Sequence, residues 1–216
     1  MKNINPARAG QIEDCDKKIQ QQLLKQVAIV KEGDISEIPE ENPTKKKKKK
    51  NQFDFDVAIS LKQLTGVDLC KVPGISEVSA LELLSEIGTD MSKWDSSKHF
   101  AAWLNLAPNT KITGGKVISS KMQKKKNRGG QSLKMSAFSL SKNQTAIGDY
   151  YRRMRAKLGG KGAVLATAHK LARIIFKMLK EKIEYNSEML NEAQEKYKLN
   201  KIKQLEKQIA KLKNAA

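Results

Sequence analysis

This 216-residue chain has little of what redox chemistry, metal chemistry or a membrane span would need. Its two cysteines, Cys15 and Cys70, are too few for a disulfide framework or a zinc site, so a reducing cytoplasm is the expected setting. It has two histidines, His99 and His169, and neither shows a Cys or acid at metal-ligand spacing. No metal site is therefore expected in the chain. No run of about 18 apolar residues occurs, so no helical membrane span is expected. The first residues lack the apolar core of a signal peptide. Aromatic residues make up only 5% of the chain, while Lys, Glu, Gln and Leu are abundant, which favours helices. The length allows one or two small domains.

Acids are missing where bases are dense. From Ser96 to Lys180, 85 residues, there are 19 Lys and Arg and a single acid, Asp149. That window carries +18 of the chain's +19, whereas residues 1–95 sum to −1 and residues 181–216 to +2. Between Lys111 and Lys134 lie eight cations, four glycines and no acid. A fold with so many unpaired cations repels itself unless a polyanion compensates, which points to nucleic acid.

Along the chain, residues 10–31 show helical spacing of Ile12, Cys15, Ile19, Leu23, Val27 and Val30. Their stripe asks for a partner that the flanking sequence does not supply. Residues 32–52 hold Gly33, Pro39, Pro43 and six consecutive lysines, Lys45 to Lys50. They read as a linker, either a solvated tether or an extra phosphate contact. A short helix over 53–64 precedes Val72-Pro73-Gly74-Ile75 and an apolar helix from Glu77 to Ile87, stopped by Gly88. This is a helix-hairpin-helix pattern, in which glycine lets the backbone approach DNA and hairpin N–H groups receive a phosphate. A tight turn used only for packing is the alternative.

Further on, 96–106 reads as a helix ended by Pro108, 109–130 as a basic loop or small hairpin, and 131–147 and 150–158 as helical. Gly159-Gly160-Lys161-Gly162 breaks the chain, and Ala163 to Tyr185 is the clearest helix. The charged tail from residue 186 carries Ile202, Leu205, Ile209 and Leu212 at coiled-coil spacing, though a lone exposed helix fits equally well. The expected fold is mainly α: a helix-hairpin-helix core with a basic loop or small hairpin, a long amphipathic helix and a helical, coiled-coil-like tail.

Chemistry has few candidates. Glu77, Glu82 and Glu86 are spaced as ordinary helix surface charges rather than as a magnesium cluster. Thr110, Thr113, Ser119 and Ser120 lie in the basic loop. A hydroxyl beside Gly114-Gly115 and among Lys111, Lys116 and Lys121 could attack a phosphodiester while the cations stabilise the developing charge. A loop that only contacts phosphates is the competing reading.

Seven blocks agree in order and spacing with one family. They are Thr65-Gly66-Val67-Asp68-Leu69 with Pro73-Gly74-Ile75; Glu86-Ile87-Gly88-Thr89-Asp90-Met91; Lys98-His99-Phe100-Ala101-Ala102-Trp103-Leu104; Thr113-Gly114-Gly115-Lys116-Val117-Ile118-Ser119-Ser120-Lys121; Lys126-Asn127-Arg128; Tyr150-Tyr151-Arg152-Arg153-Met154-Arg155; and Ala166-Thr167-Ala168-His169-Lys170-Leu171-Ala172-Arg173. From about Gln11 to Tyr185 the chain resembles the carboxy-terminal half of bacterial insertion-sequence "one-ten" transposases, DEDD-type enzymes guided by a bridge RNA.

That resemblance implies a helical transposase domain which, in full-length members, follows a RuvC-like domain with four metal-binding acids and a coiled-coil segment. It implies a nucleophile just before the Gly-Gly-Lys of the basic loop, magnesium held by the RuvC-like half, and homo-oligomers that hold DNA and a guide RNA. The matched nucleophile position is Thr113, where the family has serine. A threonine hydroxyl performs the same attack, but its extra methyl crowds an in-line geometry. The RuvC-like half has no counterpart in this sequence, so the isolated chain is expected to be inactive.

The expected organisation is a remnant coiled-coil helix (1–31), a Lys-rich linker (32–52), a DNA-binding transposase domain (53–185) and a charged tail (186–216). Lys111, Gly114, Gly115, Lys116, Lys121, Lys124, Lys125, Lys126, Arg128, Arg152 and Arg153 are expected to meet nucleic acid, with Gly74, Ile75 and Ser76 as a second phosphate contact. The expected function is the DNA-binding part of a transposase, in the cytoplasm and associated with the bacterial nucleoid. A catalytically silent nucleic-acid-binding fragment, or a regulator of an intact transposase, is the alternative. The Thr113-Gly114-Gly115-Lys116 block argues against a helix-hairpin-helix repair factor.

Overall fold

A computed structural model describes residues 6–31, 53, 55–120, 122, 126–187, 199, 202, 203, 205, 206 and 208, with side chains of the first helix described over 11–29. The lysine run and most of the tail lie outside the described residues. The tail positions that are described, from 199 to 208, are helical and exposed.

The fold is mainly α. The helices are α1 (Pro6–Lys31), α2 (Val57–Thr65), α3 (Glu77–Ile87), α4 (Ser97–Trp103), α5 (Arg128–Ser139) and α6 (Ala146–Glu181). A two-stranded hairpin, β1 (Lys111–Thr113) and β2 (Lys116–Ser119), is inserted between α4 and α5. Single 3-10 turns span Leu69–Lys71 and Leu140–Lys142.

Short polar side chains set the helix starts. Asp56, Ser76, Ser96, Asn127 and Thr145 each accept a hydrogen bond from the backbone N–H three residues on, opening α2 to α6 in turn. Each satisfies a donor that the first turn leaves without an intrahelical partner. α3 has the expected bounds, and Gly88, at φ 74°, ends it.

Elsewhere the elements differ from the sequence expectation for local reasons. α2 starts at Val57, because Asp56 caps it. α4 ends at Trp103, well before Pro108, because Asn105 turns left-handed at φ 54°. The stretch 131–147 is not one helix: α5 stops at Ser139, and Thr145 starts the next. α6 ends at Glu181 rather than Tyr185, with Lys182 left-handed at φ 54°.

The glycine-rich break is a single residue. Gly159, with φ 73° and ψ 177°, divides α6 into arms 146–158 and 160–181. Twenty residues of continuous helix would separate positions 150 and 170 by about 30 Å. Lys170 Nζ instead lies 4.4 Å from the centre of the Tyr150 ring. The arms therefore fold back on one another.

The core gathers where α5 packs between α3 and α6 and α4 packs on α6. Phe100, Leu104, Leu133, Leu140, Ile147, Leu171 and Ile175 are sealed within it. Phe100 meets Trp94 edge-on at 5.0 Å and Phe176 at 5.6 Å between ring centres. α1 lies on α2 through buried Leu23 and Val27, while Ile12 and Cys15 on the expected stripe stay exposed. A groove of about 820 Å³ runs between α1 and α3 over Leu61 and Leu64.

Candidate nucleic-acid interface

The basic segment projects from this body as a hairpin. Every residue from Lys111 to Ile118 is exposed. Gly114 and Gly115 form the two-residue turn with φ 56° and 75°, the doubly left-handed conformation that matches strand twist and favours Gly-Gly. Nothing lies within 4 Å of where a Cβ would stand on either glycine. Thr113 pairs with Lys116 and Ile112 with Val117. Opposite residues share a face and successive residues alternate, so Thr113, Lys116 and Lys111 line one side while Ile112 and Val117 line the other. Pairing slips between Lys111 and Ile112, because Lys111 faces Ser119, and this leaves Ile118 as the extra residue of a bulge.

The hairpin's root is clamped at α5. Asn127 Oδ1 accepts from Gly130 N at 2.9 Å while its Nδ2 donates to the Trp103 carbonyl at 3.4 Å. A Cβ on Gly130 would stand 2.0 Å from the Leu104 carbonyl oxygen, and one on Gly129 would meet Leu104 and Leu83. These two glycines let α5 begin directly on the end of α4.

Beside the clamp, Lys126 is exposed, and Arg128 is 91% exposed with Nε 3.9 Å from Glu86. An ion pair so wet contributes little, so Arg128 keeps its charge available. Lys121, Lys124 and Lys125 lie outside the described residues.

Other expected contacts have partners or close neighbours within the protein. Gly74 has φ 87°, and its missing Cβ would meet Leu140 and the Ser136 carbonyl at 2.9 Å. Interior packing by itself accounts for a glycine here. Ile75 is buried, and its N–H donates to the Val72 carbonyl at 3.0 Å, so it has no donor left for a phosphate. Ser76 Oγ caps α3 at Ser79 N and also lies 3.0 Å from Ser79 Oγ. Arg152, although exposed, donates to Asp149 and, at 2.6 Å, to the Asn143 carbonyl. It fastens the start of α6 to the preceding turn.

The fold-back of α6 builds a cationic cluster that local sequence patterns do not single out. Arg153 lies 5.9 Å and Lys170 4.4 Å from the Tyr150 ring centre. Burial, then Arg153 and Arg173, hold the Lys170 amine below its ordinary pKa. Burial, then Arg173, lowers His169. Burial pushes the Tyr150 phenol up. The signal available in sequence is the pair of blocks Tyr150 to Arg155 and Ala166 to Arg173, whose contact depends on one glycine between them.

No catalytic constellation accompanies Thr113 among the described residues. His99 pairs with Asp95 at 3.4 Å, so an acid four residues earlier does reach it, contrary to the expectation from spacing. No group of three His, Cys, Asp or Glu among the described residues could hold a metal ion. No helix among them is long and apolar enough to cross a membrane.

Comparison with known proteins agrees with the motif blocks. An insertion element IS110 uncharacterized 43.6 kDa protein of Streptomyces coelicolor is 30% identical over 125 residues, which is 56% of this chain and 30% of that relative. The match thus spans less than a third of the relative's length. Residues 68–152 match the family described as Transposase IS116/IS110/IS902. That segment runs from the turn before α3 through the hairpin to the first arm of α6, and over it the chain is similar to insertion-element transposases.

Proposed function

We propose that this chain is the DNA-binding part of an insertion-sequence transposase, gripping the sugar-phosphate backbone with the hairpin of β1 and β2 and the lysines that follow it. One observation carries the reading: the hairpin is exposed from Lys111 to Ile118, with Lys111 and Lys116 on the face of Thr113. Cations in that arrangement neutralise phosphates and release counterions. Lys126 and Arg128 extend the same surface toward α5, and Lys121, Lys124 and Lys125 belong to it by sequence. Within this reading residues 53–185 form the DNA-binding unit, and a guide RNA and further copies of the chain are the partners. Strand cleavage would need acids and metal from outside the described residues.

The catalytically silent alternative is favoured by Thr113 itself, whose β-methyl crowds an in-line attack. Binding to duplex DNA should weaken steeply with salt, each phosphate contact adding about −0.9 to the log–log slope. A salt-independent affinity would refute both readings. Incubation with insertion-element-end DNA and guide RNA, followed by denaturing gels, separates them. A covalent adduct absent from Thr113→Ala marks an enzyme, and no adduct marks a silent binder.

A further inference from the structure

The apolar side of the hairpin has no use in the phosphate grip. Ile112 and Val117 face each other across the strands at 62% and 59% exposure, and Ile118 on the bulge is 67% exposed. These values exceed those of most large apolar side chains among the described residues, and they occur beside Lys111 and Lys116. A two-stranded ribbon fits a DNA groove, where phosphates line the walls and bases form the floor. A ribbon with ammonium groups on one face and branched hydrocarbon on the other matches that division of charge. Hydrocarbon cannot hydrogen-bond to base edges. Its favourable partners there are thymine methyl groups and base faces opened by partial unstacking, the arrangement that apolar wedges use to kink duplexes.

We propose that Ile112 and Val117, with Ile118 beside them, seat on the bases of bound duplex DNA and unstack a base step while Lys111 and Lys116 hold the backbone. This rests on the nucleic-acid reading above, and its test can fail separately from that reading.

The experiment uses the full chain with short duplex DNA, permanganate oxidation of unstacked thymines, and the double variant Ile112→Thr/Val117→Thr. Threonine keeps the branched shape and strand preference. Bound wild type should make thymines at the site reactive. The double variant should return them to the level of free DNA and bind roughly 10-fold more weakly, with an unchanged salt slope. Steep salt-dependent binding by wild type without thymine reactivity would overturn the wedge and leave the phosphate grip standing. Reactivity that persists in the double variant would also overturn it. So would sedimentation showing that the wild-type chain self-associates and the variant does not, since the apolar face would then belong to a second copy. Absence of any DNA binding would remove both proposals together.

Discussion

Arg152 and Lys116 carry the same unit charge, yet one is hydrogen-bonded to the fold and the other is held away from it. At the start of α6, Arg152 is tied to Asp149 and the Asn143 carbonyl, and its neighbour Arg153 lies over the Tyr150 ring. On the hairpin, Lys116 stands in solvent beside a turn with empty space around it. The difference teaches that cations of the basic window sit in two kinds of surroundings: Arg152 and Lys170 contact neighbouring groups of the fold, whereas Lys111 and Lys116 stand in solvent on the hairpin.

Changes in the body should cost far more stability than changes in the hairpin. Phe100 is fully buried between Trp94 and Phe176. Phe100→Ala should lower unfolding free energy by about 3–5 kcal/mol in urea titrations. The two classes of glycine sharpen the contrast. Gly130→Ala drives a Cβ into the Leu104 carbonyl and should cost about 3 kcal/mol. Gly114→Ala, in open space but at φ 56°, should cost about 1 kcal/mol, confined to the turn.

Arg152→Ala should lower stability by about 1–2 kcal/mol while leaving the salt slope of DNA binding unchanged, because Asp149 beside it already offsets its charge. A reduced slope would move Arg152 into the ligand-binding class.

The smallest effect concerns pH. His169 has its pKa lowered from 6.5 by burial and then by Arg173. As pH falls below 6.5 the unfolded chain takes up this proton before the folded one, so stability declines until the lowered folded value is passed. His169→Gln should flatten the thermal midpoint between neutral and mildly acid pH, and an unaltered profile would show that another group governs it.

Much of the body is legible in the sequence because local rules decide it. Ser76 ahead of an i, i+3, i+4, i+7 apolar run, with Gly88 after it, marks both ends of α3 by local chemistry alone. The hairpin is legible as an option, since Gly-Gly between two short branched runs suits a two-residue turn. What cannot be read is which side of a glycine is crowded. Gly74 and Gly114 look alike in sequence, yet one faces Leu140 and the other faces nothing. Nor does the sequence show that a single left-handed residue, Gly159, brings Tyr150 against Lys170. Both facts depend on distant neighbours that no local pattern encodes.

The most direct test of the phosphate grip is the salt dependence of duplex binding by wild type and by Lys111→Gln/Lys116→Gln. The two exposed lysines should each remove one phosphate contact, reducing the log–log slope by about 1.8 in magnitude with the thermal midpoint unchanged. A double variant whose slope equals that of wild type would show that the hairpin's cations do not meet the DNA backbone.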